Sequence, residues 1–434
     1  MRFLATADIH IGRRPARVAR DVAAAHSCAR VWGRIVDTAI EEGVAAVLVS
    51  GDLVDADNRF FEALGALQSG LDRLEEAGIR LYAIAGNHDW ETLPGLADSL
   101  NHPALQLLGR GGSWEDVVID NGAGERVQLF GWSFPSVNVT ASALVDFPSR
   151  RLHSDMPSLG LLHADVDALA SGYHPVTTAQ LRGIPIDAWL VGHVHAALGG
   201  SSGGIPRILR LGSPQGLDPG PGEQGIHGPW VIDIDTSGGV NFSQIPVSGV
   251  QYESLVVDVS AANDTTTLQT ILSGEIRDQV EAFARHNCQL ETLVCRLVLH
   301  GTPELDTGEI RKQCAALQET GLECSRVRVL VDDISLDLRP PVDLDEYRDE
   351  PGMLGVLAQL LDDIERDRVP SDLQERLLRQ LAKLDNAPVF APLAGDSADE
   401  SGLYSAPEEE VRDLLLAQSR RLLYALVEQR RGEP

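Results

Sequence analysis

The sequence predicts an α/β chain that carries its chemistry at the ends of strands. Three observations point there. Short apolar strands alternate with amphipathic helices over the first ninety residues, each strand stops at a cluster of ligand-type side chains, and the last hundred residues turn leucine-rich and helical. The stretch Val47-Leu48-Val49-Ser50-Gly51-Asp52-Leu53-Val54-Asp55 shows the pattern in one place: a buried-strand run ends at a glycine and carboxylates follow at once. Open α/β sheets put their binding sites at such edges.

In chain order, Arg2 to Ala7 reads as a short buried strand, and Asp8-Ile9-His10-Ile11-Gly12 emerges from its end. From Ala16 to Glu42 apolar residues recur at roughly helical spacing, and Gly43 closes the run. The Val47 strand follows, then a helix from about Phe60 to Ala77, then the strand Arg80 to Ala85, which delivers Gly86-Asn87-His88-Asp89. Beyond Trp90 the chain is strand-rich. Asp116 to Asp120 and Arg126 to Gly131 form a hairpin pattern around Asn121-Gly122-Ala123-Gly124. Leu159 to Leu162 ends in His163, and Ala188 to Gly192 ends in His193-Val194-His195. Strands at Arg207 to Leu211, Trp230 to Ile234 and Asn241 to Val247 complete this part, with a Gly/Pro-rich loop from Gly212 to Gly228.

A second unit, from about Tyr252 to Leu338, reads strand, helix, strand, helix, strand and gathers no ligand cluster. Pro340-Pro341 marks the next boundary. Past it, Met353, Leu357, Leu360, Leu361 and Ile364 form one helical stripe, and Leu373, Leu377, Leu378, Leu381 and Leu384 another. Asn386 to Pro407 has linker composition, and a last amphipathic helix spans about Pro407 to Arg430. The leucines of these helices need cover, either from their own domain or from a groove on another protein. The expected domains are therefore 1–250, 251–340 and 341–434, with the linker at 386–407.

A net charge of −28 opposes polyanions at long range and counts against nucleic acid as substrate. The local distribution runs the other way between Ile11 and Arg34, where six arginines, Arg13, Arg14 and Arg17 among them, face the single acid Asp21. That cluster fits phosphate contacts and equally fits a solvated surface. Five widely spaced cysteines without a CxxC pair argue against a disulfide scaffold and a structural zinc site. No apolar run approaches the roughly 20 residues of a membrane span, and the N-terminus enters a strand without a signal-peptide layout. The expectation is a soluble cytoplasmic protein without membrane contact.

Taken together, ligand-type residues stand at five separated strand ends: Asp8 with His10, Asp52, Asn87 with His88, His163, and His193 with His195. Mixed oxygen and nitrogen donors suit Mn²⁺, Fe²⁺ or Zn²⁺ better than Mg²⁺ or Ca²⁺. The order D-x-H, G-D-x-x-D, G-N-H-D, H, G-H-x-H resembles the calcineurin-like metallophosphoesterase superfamily. The resemblance implies a four-layer α/β/β/α sandwich, with a small α+β capping domain and a C-terminal helical segment after it. It implies one metal held by Asp8, His10, Asp52 and His195 and another held by Asp52, Asn87, His163 and His193, so that Asp52 bridges. Two ions about 3.5–4 Å apart lower the pKa of a bridging water, and the resulting hydroxide attacks phosphorus in line. His88 is left off the metals, to stabilise the transition state or protonate the leaving group.

Thr6-Ala7-Asp8-Ile9-His10-Ile11-Gly12 and Gly212-Ser213-Pro214-Gln215-Gly216 are most similar to SbcD-type and YhaO-type DNA-repair exonucleases. This similarity implies a manganese-dependent 3′-to-5′ nuclease on DNA, dimeric, with C-terminal helices docked on an SMC-like coiled-coil ATPase. One position departs. Many such nucleases carry histidine three residues after the bridging aspartate, and this chain has Asp55. Phosphatases of the superfamily place an aspartate there, which implies an Asp55–His88 dyad. Otherwise Asp55 is a solvated loop acid. The alternative function is a phosphodiesterase or phosphatase acting on a small nucleotide or another phosphoester.

Overall fold

The computed structural model describes residues 1–55, 60–168, 171–198, 207–338, 344–366 and 368, together with 416, 418–420, 422–423, 426–427 and 430. The expected linker at 386–407 and the stripe from Leu373 to Leu384 lie outside the described residues.

The chain runs through β1 (Arg2–Thr6), α1 (Arg20–Ala25), α2 (Cys28–Glu41), β2 (Ala46–Ser50), α3 (Phe60–Glu76), β3 (Arg80–Ile84), α4 (Thr92–Leu100) and β4 (Leu105–Leu107). A hairpin of β5 (Glu115–Asp120) and β6 (Arg126–Gly131) precedes β7 (Ser158–His163), the short β8 (Asp165–Val166) and β9 (Pro175–Val176), and α5 (Thr178–Arg182). Then come β10 (Ala188–Gly192), β11 (Arg207–Arg210), β12 (Trp230–Ile234) and β13 (Val240–Gln244). The third part holds β14 (Val250–Asp258), α6 (Thr265–His286), β15 (Thr292–Gly301), α7 (Thr307–Thr320), β16 (Leu322–Cys324) and β17 (Val327–Leu338). The helices α8 (Leu344–Tyr347) and α9 (Met353–Glu365) follow.

Two mixed sheets form a sandwich. One has the order β13-β12-β1-β2-β3-β4, the other β11-β10-β7-β6-β5. Strands β1 to β4 run parallel, as do β6, β7, β10 and β11, so both sheets send their C-terminal strand ends to open edges. The alternation of side chains across each strand builds the layers. Phe3, Ala5, Leu48, Tyr82 and Ile84 point inward and share one core with Leu129, Leu159, Leu161, Leu190 and Leu209 of the other sheet. Leu4, Val47, Val49, Leu81 and Ala83 point outward under Trp32, Ile35, Leu67, Leu71 and Leu96 of α2, α3 and α4. On the far side, Trp189, Val191 and Leu162 are covered by Leu181 of α5 and by Leu144 and Phe147 from loops. The α/β/β/α sandwich expected from the sequence is present, and its fourth layer is thin.

The helical run expected from Ala16 to Glu42 is broken at His26-Ser27. The Cys28 amide donates to the Arg13 carbonyl at 3.0 Å, which ties the start of α2 to the loop after β1 and prevents one continuous helix. Of these two helices α2 buries a full apolar face, whereas α1 buries none of its residues.

A four-stranded sheet, β14-β15-β17-β16, follows the sandwich. By compactness the chain divides into two units, Met1–Val257 with Thr265–Leu299 and Gly308–Leu336, and Asp258–Asp264 with His300–Thr307 and Asp337–Pro434. Within the first, Val250, Tyr252 and Val294 pack against Val18 and Val22 of the segment around α1. Within the second, Leu357 and Leu361 of α9 pack on Leu423, and Ala358 on Val427. Among the described residues no helix is long and apolar enough to cross a membrane. Cys28, Cys295, Cys314 and Cys324 are buried thiols, and Cys288 is exposed.

Candidate metal centre

The sandwich brings the five strand ends together. Asp8 and His10 follow β1, Asp52 follows β2, Asn87 and His88 follow β3, His163 is the last residue of β7, and His193 and His195 follow β10. The pairing of β1 with β2 continues past both strands: the amides of Asp8, His10 and Ile11 donate to the carbonyls of Gly51, Asp52 and Leu53, each at 3.0 Å. The two ligand loops are thus one ladder. Across the sheets, the Ser50 hydroxyl donates to the Leu190 carbonyl at 2.8 Å.

Convergence at this density strains the backbone. Asp8, His10, Asp52 and His193 have φ of 52°, 51°, 52° and 100°, in a region that side-chain-bearing residues rarely enter. Such strain concentrates where function over-determines the geometry. It also explains the glycines that precede the ligands. A Cβ on Gly86 would stand 2.3 Å from Asp52 Oδ1, and one on Gly192 would stand 2.2 Å from the Ser50 carbonyl oxygen.

Ligating atoms of Asp8, His10 and His195 lie within 4.8 Å of one another, as do those of Asp8, Asp52 and His163. Asp52 faces both halves, since its Oδ2 is 3.4 Å from His163 Nε2 and 3.9 Å from His10 Nε2. Asn87 Oδ1 stands 2.9 Å from His163 Nε2 and 3.2 Å from His193 Nδ1, which joins these three side chains at the second half. Both carboxylate oxygens of Asp8 accept from the His193 amide, at 2.9 and 3.2 Å.

Each histidine offers one nitrogen inward. His163 donates Nδ1–H to the Ser50 carbonyl at 2.9 Å, leaving Nε2 toward Asp52 and Asn87. His195 turns Nδ1 to Glu223 Oε1 at 2.5 Å and Nε2 to His10 Nε2 at 3.2 Å. His193 turns Nε2 toward Asp165 Oδ2 at 3.6 Å. A ring nitrogen fixed by an outer hydrogen bond is how proteins set a metal-ligating tautomer. Two nitrogens each about 2.0–2.1 Å from one ion stand roughly 3 Å apart, the separation between His10 and His195. The donor set therefore fits divalent ions of the imidazole- and carboxylate-binding kind, and the fit does not choose among Mn²⁺, Fe²⁺ and Zn²⁺.

The electrostatics agree. Asp8, His10, Asp52 and His163 are at most 1% exposed. Burial raises the Asp8 carboxyl above its ordinary value and drives His10 well below its own. Burial also lowers His193, to about 4. At His163 burial acts downward too, yet the charge and hydrogen bond of Asp52 outweigh it and lift the imidazole to about 9; the same pairing holds Asp52 below the usual carboxylate range against its burial. In the metal-free chain a proton on His163 thus supplies the positive charge that the buried carboxylates require.

His88 is exposed at the rim, with its ring 5.0 Å from the His10 ring and its amide donating to Asp52 Oδ1 at 2.9 Å. Asp55 is buried. Its Oδ2 lies 3.3 Å from Arg13 Nε and 3.8 Å from His10 Nδ1, and ligating atoms of His10, Asp55 and His88 fall within 4.8 Å of one another. Of the other loop arginines, Arg17 pairs with Asp332 of β17 at 3.4 Å. Arg14 also has interactions of its own.

Three supporting carboxylates stand outside the ligand set expected from the sequence. Asp89 closes the G-N-H-D motif; it accepts from the Gly86 amide at 2.7 Å and from the Leu53 amide at 2.8 Å, tying the β3 loop to the β2 loop. Asp165 lies two residues past His163. Glu223 lies in the Gly/Pro-rich loop, where no periodicity marks it.

Residues 1–197 match the family model of the calcineurin-like phosphoesterases. The chain is 26% identical over 364 residues to the uncharacterized metallophosphoesterase YhaO of Bacillus subtilis (strain 168), covering 80% of this chain and 81% of that protein. Among solved structures, a dimetal phosphatase from Danio rerio is 14% identical, with 54% of this chain and 92% of that one covered at a TM-score of 0.34. The Thermus thermophilus protein TT1561 is 14% identical, with 56% and 98% covered at a TM-score of 0.34.

Proposed function

We propose that the chain is a metal-dependent phosphoesterase and, more specifically, a two-metal phosphodiesterase acting on DNA as a 3′-to-5′ repair exonuclease; the match of residues 1–197 to the calcineurin-like phosphoesterase model and the similarity to a metallophosphoesterase support this. The observation that carries the phosphodiesterase reading is the convergence of seven ligand-type side chains from both sheets, with Asp52 facing both halves. Asp8, His10, Asp52 and His195 would hold one divalent ion, and Asp52, Asn87, His163 and His193 the other, with Mn²⁺ as the expected metal. Bound ions supply positive charge to the phosphoryl oxygens and a nucleophilic water at neutral pH. The remaining work falls to the protein. His88, exposed at the rim with its amide fixed by Asp52, would donate a proton to the leaving oxygen. Asp55 fixes the rim beside it, and the loop bearing Arg13, Arg14 and Arg17 is the DNA-facing edge.

The specific preference for DNA rests on the resemblance of the first 230 residues to DNA-repair nucleases and on that arginine loop. A second reading, a phosphodiesterase on a small nucleotide or other phosphoester, draws support from the Arg13–Asp55 pair, which engages the arginine nearest the ligand loop. One assay separates them: Mn²⁺-dependent release of nucleotides from end-labelled DNA, run beside bis-p-nitrophenyl phosphate, with Asn87→Ala and His88→Ala as controls. Nucleotide release abolished by both substitutions is the expected result. Hydrolysis of the small ester with DNA untouched selects the second reading. The helices beyond residue 340 are proposed to dock on a coiled-coil ATPase, and the working form is proposed to be a cytoplasmic homodimer.

A further inference from the structure

Glu223 belongs to none of the ligand motifs, yet its carboxylate contacts a ligand. Its Oε1 accepts from His195 Nδ1 at 2.5 Å, and its Oε2 accepts from the Leu217 amide at 3.0 Å, so both oxygens are engaged. The side chain is 12% exposed, which leaves little solvent to compete for it. Held at Nδ1, the His195 ring presents Nε2 to the point that His10 Nε2 also faces, 3.2 Å away.

The loop that brings Glu223 there is itself fastened at several points. The Ser213 amide donates to the His195 carbonyl at 2.9 Å, and the Glu223 carbonyl accepts from His227 Nε2 at 2.8 Å. The Leu217 carbonyl accepts from the Ala16 amide at 2.8 Å. Tyr252, from β14 of the four-stranded sheet, donates its hydroxyl to the Ala16 carbonyl at 2.7 Å and is 3.4 Å from the Leu217 carbonyl. Gly216 lies against the Tyr252 ring, where a Cβ would already be 3.0 Å from Cδ2. A continuous line of contacts thus runs from β14 through Leu217 and Glu223 to His195.

We propose that Glu223 is the positioning residue of the His195 half of the metal centre, and that Tyr252 fixes the loop that carries it, so that the four-stranded sheet sets the affinity of one metal site. The proposal rests on the two-ion reading of the centre and is independent of what phosphoester the protein cleaves.

The test is a calorimetric titration of the metal-free full chain with Mn²⁺. Wild type binds two ions. Glu223→Gln, which keeps the shape and removes the charge, weakens one binding step by about 10–100-fold and leaves the other within about twofold of wild type. Tyr252→Phe weakens the same step by less. In a His195→Ala background Glu223→Gln has no further effect, because the ring it orients is gone. Two unchanged steps in Glu223→Gln, or equal weakening of both, overturns the assignment, as does an undiminished effect in the His195→Ala background. A wild type that takes up no Mn²⁺ overturns the two-ion reading beneath it, whereas a negative DNA assay with two ions bound leaves the proposal standing.

Discussion

The Asp55 carboxylate lies 3.3 Å from Nε of Arg13 and 3.8 Å from Nδ1 of His10, so the acid three residues after Asp52 is shared between an arginine and a histidine of the candidate centre. Among the described residues His10 Nδ1 has no hydrogen-bond partner, which makes Asp55 the group placed to hold that ring. Asp55→Asn is expected to lower kcat on bis-p-nitrophenyl phosphate by roughly 10–100-fold, the range for outer partners of metal ligands. Turnover and a pH–rate profile equal to wild type would remove Asp55 from the machinery.

His88 touches the centre through its backbone and faces the rim through its ring. His88→Ala is expected to cut kcat by about 10²–10⁴-fold while two Mn²⁺ ions still bind with unchanged affinity. Loss of metal together with activity would make His88 a structural residue instead.

The proposed DNA binding through the Arg13 loop would carry a salt signature. Each phosphate contact adds about 0.9 to the slope of log K against log salt on duplex DNA. The Arg13→Ala/Arg14→Ala variant is expected to bind more weakly and with a slope shallower by up to about two. An unaltered slope would take this loop off the DNA surface.

The pH dependence follows from His163. Its folded-state pKa, about 9, exceeds its ordinary 6.5, so the stability it contributes is fully present below pH 6.5 and is lost as pH rises toward 9. His195 is raised as well, by the Glu223 hydrogen bond against its burial, and adds in the same direction. The Tm of metal-free protein is expected to fall from pH 6.5 to 9 while Mn²⁺ affinity climbs over the same interval, because the ion no longer displaces a proton. Melting curves and Mn²⁺ titrations across that range check both signs. A Tm that rises with pH would contradict the His163 assignment.

The second unit offers its own test. Helix α9 packs Leu357 and Leu361 inside and leaves Met353 and Val356 each 61% exposed. If these helices dock on the proposed coiled-coil ATPase, Met353→Asp with Val356→Asp is expected to abolish its co-purification and to leave hydrolysis of the small ester intact. Retention of the partner would shift its dock away from this face.

The members of the candidate centre and their order along the chain are legible in the residue pattern alone. Asp8, His10, Asp52, Asn87, His163, His193 and His195 each stand at the end of an apolar run, and period-two alternation decides which strand residues face the opposite sheet, so strand ends and core could be read locally. Which groups stand behind them depends on the assembled fold. Glu223 meets His195 across 28 positions, inside a loop without periodicity, and Arg13 lies beside Asp55 only because the ladder between the β1 and β2 loops sets them side by side. The break at His26-Ser27 has the same origin, in a hydrogen bond from Cys28 to Arg13 that helical spacing cannot reveal. Hydrogen bonds and ion pairs form between groups that the whole fold brings within about 3 Å, and no local pattern encodes that distance.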